Sequence, residues 1–580
     1  MARLFDMEHA VAGKFHIEMI KPSHYDDDGY VIQWWRAQIP SNSLASVYAI
    51  VQDAAERRVL GEDTDITFDA WDECNTVISM DRVANRIGAQ GIVFLVGVQS
   101  NQFPRAMDMA RAFRARGLNV VIGGFHVSGC LSMLPEMPWD LQEAIDLGIV
   151  LYAGEAEGHI DTLLRDAQAN RLQPVYNFLA DLPGLEGAVT PYMPKERLQR
   201  YTPPIGSFDA GRGCPFQCSF CTIINVQGRK SRYRSADDIE ALLRAHLAKG
   251  VTRFFITDDD FARNRHWEEI LDRVIALREQ ENIPFTFLIQ VDALAYRLPN
   301  FIDKCKRAGC RRIFIGLETI NAANLKHANK RQNKLGEYRK MLQAWRAAGI
   351  ITFCGYILGF PEDTVVSIKH DIQVIQRELP VDVLEFFCLT PLPGSEDHRR
   401  LYRGNIAMDR DMNKYDLEHI CTEHSRMTKD EWQGVYDWAW PQYYSLAHVE
   451  TLLRRGAADG LPVTRLMHSL LMFRAMPTIE GVHPLQGGYF RRKIRSTRRP
   501  GSPKDSTLLF YIRHFANSVS KTVGILHLLW KMDRIRRRIL REQAVTPYTD
   551  IAISKLNREH EDQLEFMRER PALAVANAAE

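Results

Sequence analysis

The chain has 580 residues, of which 46% are hydrophobic and 25% are charged, as in a folded protein of three or four domains. The charges of its 74 basic and 72 acidic side chains nearly cancel, so the net charge does not indicate the class of any binding partner. We do not expect the protein to bind DNA. Ten cysteines are too few for a disulfide scaffold. Since no signal-peptide pattern or apolar run of roughly 18 residues is found, we expect a cytoplasmic protein.

The first third of the chain alternates strands and helices. We predict helices at 43–57 and 104–116, and strands at 15–20, 66–68, 76–78, 91–97, 119–124 and 149–152. Continuous apolar runs are typical of strands buried on both faces of a parallel sheet. The pattern predicts an α/β fold that begins with a doubly wound, Rossmann-like domain at 1–165.

Ligands of such a sheet bind at the carboxyl ends of its strands. Small or polar residues occupy those positions here: Gln99, Ser100, Gly123, Gly124, His126, Ser128, Gly154 and Glu155. Glycine lets the backbone approach a large flat ligand closely. We therefore expect this edge to bind a ligand, although a Rossmann-like domain that serves only as a scaffold is the alternative.

The segment 166–204 is rich in proline and glycine, so we expect an irregular linker. Residues 205–400 contain about six strand–helix units, which predict a partial (β/α)6 barrel with its active site at the carboxyl ends of the strands. Polar residues follow several of these strands: Asp258, Asp259, Gln290 and Glu318.

Three cysteines, Cys214, Cys218 and Cys221, lie at the start of the predicted barrel in a Cys-x3-Cys-x2-Cys spacing. Three thiolates can hold an iron–sulfur cluster, and a four-iron cube would then keep one iron open to an exchangeable ligand. A zinc knot or three core cysteines is the alternative, but structural zinc sites have a fourth Cys or His nearby, and none follows here.

The cysteine loop, with Arg212 before it and Phe220 inside it, resembles the radical S-adenosylmethionine (radical SAM) superfamily. Four segments after later strands, at 258–261, 316–319, 359–364 and 390–395, lie where that family has similar ones. The resemblance implies that the three cysteines hold a [4Fe–4S] cluster, which cleaves SAM to a 5′-deoxyadenosyl radical with an electron from a flavodoxin or ferredoxin type of donor. It also implies SAM contacts for five residues: Phe220, Asp258, Asp259, Gln290 and Glu318.

The first domain resembles the cobalamin-binding domain of B12-dependent radical SAM enzymes, through Gly123-Gly124-x-His126-x-Ser128 and Gly154-Glu155. The resemblance implies that the eight strand-end residues named above contact cobalamin. The Asp-x-His-x-x-Gly pattern of domains that ligate cobalt through a histidine is absent, so we expect cobalamin without a protein histidine ligand.

Together, the two resemblances imply C-methylation of an unreactive carbon, with cobalamin as the methyl carrier. One alternative is cobalamin-dependent radical cyclisation, rearrangement or oxidation without methyl transfer. Another is a non-catalytic cobalamin-binding sensor. An RNA-modifying methylthiotransferase is disfavoured, because such enzymes hold a second cluster in the N-terminal domain and only Cys74 and Cys130 lie there.

Residues 401–580 predict a mainly helical, basic region. Between positions 451 and 541 there are 19 Lys and Arg but only 4 Asp and Glu, interspersed with Trp, Phe and Leu. This composition is typical of an interfacial element on an anionic membrane. We expect peripheral contact with the inner membrane face and a lipid-like organic substrate; an RNA-binding surface and a solvated basic face are the alternatives.

Overall fold

The computed structural model describes residues 13–88, 90–543 and 547–568. Its strands are β1 (Gly13–Lys21), β2 (Gln33–Ala37), β3 (Thr64–Asp72), β4 (Gly91–Leu95), β5 (Asn119–Gly123), β6 (Val150–Ala153), β7 (Val175–Asn177), β8 (Gly206–Phe208), β9 (Gly211–Arg212), β10 (Arg232–Tyr233), β11 (Arg253–Ile256), β12 (Thr286–Val291), β13 (Cys310–Glu318), β14 (Ile351–Leu358), β15 (Val383–Cys388) and β16 (Gly488–Arg492).

The helices alternate with these strands as far as β15 and dominate the chain after it. They are α1 (Asn42–Glu56), α2 (Met80–Ile87), α3 (Phe103–Arg114), α4 (Phe125–Met133), α5 (Trp139–Asp146), α6 (Ile160–Gln168), α7 (Lys195–Leu198), α8 (Ile223–Val226), α9 (Ala236–Leu247), α10 (Trp267–Glu279), α11 (Phe301–Ala308), α12 (Ala322–His327), α13 (Leu335–Ala347), α14 (Val365–Glu378), α15 (Glu396–Arg403), α16 (Lys429–Tyr443), α17 (Leu446–Ala458), α18 (Val463–Ala475), α19 (Thr507–Gln543) and α20 (Arg558–Asp562).

The first domain is a parallel, doubly wound sheet with the strand order β3-β1-β4-β5-β6-β7. Its central strands are apolar and packed on both faces, as predicted. The strand predicted at 76–78 is wrong: this segment is irregular and leads into α2, whose N-cap is Ser79. The strand β7 comes from the segment predicted to be a linker.

The second sheet has the order β15-β14-β13-β12-β11-β8, with every neighbouring pair parallel. Strands that follow one another in the chain are therefore neighbours in space, which is the arrangement of a partial barrel. Helix caps support these units; Ser235, for example, caps α9 through a reciprocal pair of hydrogen bonds with Asp238. The predicted α/β fold class is confirmed.

The two sheets are held together by a close backbone contact. Gly129 on α4 lies so near the turn after β15 that a Cβ atom would overlap the carbonyl oxygen of Pro393. On the barrel side, Gly394 packs against the Cα of Gly129. Two glycines thus allow the carboxyl end of the first sheet to meet the carboxyl end of the second.

The C-terminal region covers the barrel and returns to the first domain. The aromatic side chains of α16 pack on the barrel strands; Trp432 Nε1, for instance, donates to the carbonyl of Leu358 at 3.1 Å. Strand β16 then pairs antiparallel with β2, and Trp34 Nε1 donates to Gln486 O at 2.8 Å. Among the described residues, no helix has the length and hydropathy needed to cross a membrane.

Candidate active site between the two sheets

A cavity of about 940 Å³, including its open mouth, lies at the carboxyl ends of β4, β5 and β6. We call it the interdomain cavity. Apolar side chains of α1 and α6, such as Ile50 and Leu163, line one part of it. Arg212 and Gln227, on the two sides of the cysteine loop, also belong to its lining. The cavity is therefore bounded by both domains.

Five of the eight residues predicted to contact cobalamin line this cavity: Gly123, Gly124, Ser128, Gly154 and Glu155. Two of the glycines are required by the fold itself. A Cβ on Gly124 (φ +146°) would overlap the backbone of Val98, and one on Gly154 (φ +101°) would crowd the backbone of Phe178. Ser128 Oγ accepts a hydrogen bond from the Gly154 N–H at 3.1 Å, so it positions the Gly154 turn.

The other three predicted residues lie outside the cavity lining. His126 is fully buried; its Nδ1 lies 3.1 Å from Ser100 Oγ and its Nε2 lies 2.9 Å from Asp140 Oδ2. Burial opposes ionisation of Asp140, but the hydrogen bonds that its carboxylate accepts from His126 and from backbone N–H groups lower its pKa. Gln99 is exposed and caps the turn that follows β4. This placement favours a positioning role for His126 and Ser100.

An arginine joins the cavity lining to the cysteine loop. Arg212 is buried and donates to Glu155 at 2.6 Å, to Glu157 at 2.7 Å and to Asp209 at 3.1 Å. Arg232 also pairs with Glu155. Since Glu155 and Glu157 belong to the first domain and the arginines to the second, this network fixes the domains across the cavity.

The cysteine loop begins after β9 and ends at α8, with free thiols on Cys214, Cys218 and Cys221. Burial, together with the neighbouring Cys218, raises the pKa of Cys221 to about 12, and burial raises the pKa of Cys214 to about 12. A positively charged metal cluster would offset this cost, because cysteine binds metal as thiolate. Within the described ranges, no three His, Cys, Asp or Glu side chains converge on one metal ion; ligands of a four-iron cluster bind different irons and need no such convergence.

Two predicted SAM ligands hold the backbone of this loop instead of facing open space. Asp258 Oδ1 accepts from the N–H of Ala210 at 2.6 Å, and Asp259 Oδ2 accepts from the N–H of Gly213 at 3.1 Å. Burial raises the pKa of each carboxyl to about 7. Gln290 Nε2 donates to the Asp258 carbonyl at 3.3 Å. These residues connect the ends of β11 and β12 to the segment that carries Cys214.

The remaining two predicted SAM ligands are Glu318 and Phe220, which lies within the loop, and both lie near Lys330. Glu318, at the end of β13, has φ +66°, and its carboxylate pairs with the buried Lys330. The Lys330 ammonium lies 5.7 Å from the ring centre of Phe220. A left-handed conformation at a non-glycine residue costs free energy and is concentrated at functional sites, so Glu318 is held in place by its surroundings.

The segment 328–333 is the part of the site that the sequence did not reveal. Ser219 N–H donates to Ala328 O at 3.0 Å, Asn329 Nδ2 donates to Gln217 O at 2.9 Å, and Gln332 Nε2 lies 3.4 Å from Cys218 Sγ. The segment is an aperiodic, charged stretch between two helices and carries no motif. Arg212, in contrast, is adjacent to the cysteines, and a buried role for it could have been suspected.

The structure thus brings three cysteines, a buried Lys–Glu pair and a glycine-lined cavity to one edge where two parallel sheets meet. Residues 210–375 match the Radical SAM superfamily. This segment is a radical SAM domain. The resemblance predicted from the cysteine loop is confirmed.

The similarity to known proteins extends beyond the radical SAM domain. The chain is 26% identical over 364 residues to bacteriochlorophyllide d C-8(2)-methyltransferase of Chlorobaculum tepidum, covering 59% of this chain and 76% of that protein. It is 23% identical over 321 residues to hopanoid C-2 methylase of Rhodopseudomonas palustris, covering 55% and 58%. Both alignments extend well beyond the 166 residues of the radical SAM domain.

The fold is also found in a solved structure. The radical S-adenosylmethionine methyltransferase TsrM of Kitasatospora setae, determined with cobalamin and a [4Fe–4S] cluster, superimposes with a TM-score of 0.52 at 14% identity. The match covers 67% of this chain and 78% of that one. At this identity, the match shows that the two proteins share a fold over the aligned region.

Proposed function

We propose that this protein is a cobalamin-dependent radical SAM enzyme that methylates an unreactive carbon. One observation carries the proposal: the interdomain cavity is lined both by the carboxyl ends of the first sheet and by Arg212 and Gln227, on either side of the cysteine loop. A ligand held there would face the loop directly. The predicted cofactor set and the methyltransferase relatives agree with this arrangement.

The residues present fit the three cofactors. Cys214, Cys218 and Cys221 would hold the cluster, since all three are free thiols in one loop. Glu318 and the strand ends around it would hold SAM, and the glycine-rich lining of the interdomain cavity would hold cobalamin. When bound, these groups supply a carbon-centred radical and a transferable methyl group.

The chain itself positions the loop and excludes water. Asp258 and Asp259 fix its incoming backbone, and the segment 328–333 fixes its outgoing half. Phe220 of the loop packs with Phe360 and Phe387 in an apolar cluster, which reduces the access of water to this part of the barrel. Such positioning and exclusion of solvent is what a protein contributes to cofactor chemistry.

The substrate class we propose is a large apolar, lipid-like molecule. Phe220, Phe387 and Leu389 are only partly buried, so they present apolar surface beside the cysteine loop. The relatives named for bacteriochlorophyllide and hopanoid methylation are consistent with a substrate of this kind. A one-electron donor of flavodoxin or ferredoxin type completes the partner set.

The test uses anaerobically purified full-length protein. We expect iron, sulfide and cobalamin to be present, and a reductant with SAM to yield 5′-deoxyadenosine. With a panel of hopanoids and bacteriochlorophyllides, a ¹³C label from the SAM methyl group should enter the product. Cys218→Ser should abolish 5′-deoxyadenosine formation, whereas the matched change Cys74→Ser, in the first domain, should leave it within about twofold.

Two results would contradict the proposal. A substrate that is consumed without gaining label would indicate cyclisation, rearrangement or oxidation. Cobalamin bound without any SAM cleavage by the reduced protein would indicate a sensor.

A further inference from the structure

The long helix α19 is apolar on two opposite sides. Phe510, Leu528, Met532 and Ile539 are buried against the rest of the protein. At 3.6 residues per turn, a second apolar set points about 170° away from the first. We call this set the outward face: Leu508, Ile512, Phe515, Val519, Val523, Leu526 and Trp530.

The outward face has no partner among the described residues. Its side chains are between 46% and 73% exposed. From its first to its last residue it runs for about 33 Å along the helix. Single exposed apolar residues are ordinary, but a contiguous stripe of this length marks a surface that binds something.

Cations flank the outward face. The helix has eight Lys and Arg but two Asp and Glu. Lys531 and Arg534 form no ion pair with any residue that the structure describes, and the Arg534 guanidinium lies 4.8 Å from the ring centre of Trp530. Tryptophan next to arginine or lysine is the pattern of a helix at a membrane–water interface, where the ring sits at the headgroup level.

We propose that the outward face of α19 docks on an anionic lipid bilayer, with the helix lying in the plane of the interface. The apolar stripe would enter the headgroup–acyl boundary, while Lys531 and Arg534 would pair with lipid phosphates. A second copy of the chain fits less well, since it would bring two equally basic helices together. This surface is separate from the interdomain cavity, so the proposal does not depend on cofactor binding.

Vesicle flotation of the full-length protein tests the proposal. We expect the protein to float with vesicles containing phosphatidylglycerol, to float poorly with pure phosphatidylcholine, and to dissociate as salt is raised. Phe515→Glu with Leu526→Glu should lower the bound fraction about tenfold or more, because two inserted apolar side chains are lost. Asn517→Glu with Ser520→Glu adds the same charge on exposed positions off the outward face and should change binding by about threefold or less.

Three results would overturn it: equal flotation with the two kinds of vesicle, equal flotation of the Phe515→Glu/Leu526→Glu variant and the parent, or a stable dimer in light scattering that this variant dissociates. Matching melting temperatures of the two double variants would show that both are folded. As an independent measurement, Lys531→Gln with Arg534→Gln should weaken binding to phosphatidylglycerol and reduce its salt dependence; unchanged binding and salt dependence would also contradict the proposal.

Discussion

At the scale of single residues, Glu385 on β15 is a buried carboxyl group in apolar surroundings. Its side chain is 2% exposed, and its Oε2 has no hydrogen-bond partner in the described part of the chain. Burial raises its pKa to about 8 from an ordinary value of 4.5. The folded protein therefore holds a proton at pH 7 that the unfolded chain releases, so Glu385 makes the fold less stable as the pH rises from about 4.5 to 8.

Replacing this acid should remove that pH dependence. We expect Glu385→Gln to raise stability relative to the parent, by little at pH 5 and by on the order of 4 kcal/mol at pH 8. Melting temperatures of the parent and the variant, measured between pH 5 and pH 8, check this expectation. Glu62→Gln, at an exposed position, should show no such trend, and a Glu385→Gln difference that shrinks toward pH 8 would contradict the assigned pKa.

The residue scale also shows what the sequence could predict about the site. The cysteine spacing identified the loop, because cluster ligands must come from a few residue types at close positions. His126 was predicted as a cofactor contact from its place after a strand, yet both ring nitrogens are engaged inside the domain. Lys330 was missed, because a lysine in an aperiodic stretch is usually at the surface.

At the scale of elements, α4 and the turn at 390–395 meet so closely that only glycine fits. Adding a methyl group at Gly129 would force the backbone of Pro393 to move. We expect Gly129→Ala to destabilise the protein by about 1–3 kcal/mol, seen as a lower melting temperature. Gly434→Ala, inside α16 with no atom near the new methyl group, should instead be neutral or stabilising by up to about 1 kcal/mol.

Equal melting temperatures for the two alanine variants would show that the contact between α4 and this turn is not tight.

The helices and strands themselves were largely predictable, since periodic apolar positions and N-caps are local signals. Strand β2 was not, because its partner β16 lies about 450 residues away and no local pattern records a pairing of that kind.

At the scale of the whole molecule, the buried Arg212 binds carboxylates from both domains. Removing one member of a buried charge network leaves the others unpaired. We expect Arg212→Met to cost about 3–5 kcal/mol and to lower cobalamin retention during purification. Arg58→Met, which breaks an exposed pair with Glu62, should cost less than about 1 kcal/mol.

Unchanged melting and unchanged cobalamin content in Arg212→Met would mean that the two domains are held together by other contacts. A loss of stability with full cobalamin retention would place the arginine in the fold but outside the cofactor site. Both readouts are needed, because the network contacts the cavity and the cysteine loop at once.

The pairing of β2 with β16 has a consequence for synthesis on the ribosome. Strand β2 is synthesised early, and its partner β16 is translated about 450 residues later, which takes about 20–90 s at ordinary rates of synthesis. In the finished protein Trp34 is nearly fully buried, since it packs against Gly488 and donates a hydrogen bond to Gln486. Throughout that interval neither residue has been synthesised. Until β16 is made, the nascent chain therefore leaves this edge of β2 and the indole of Trp34 open to pairing with other chains.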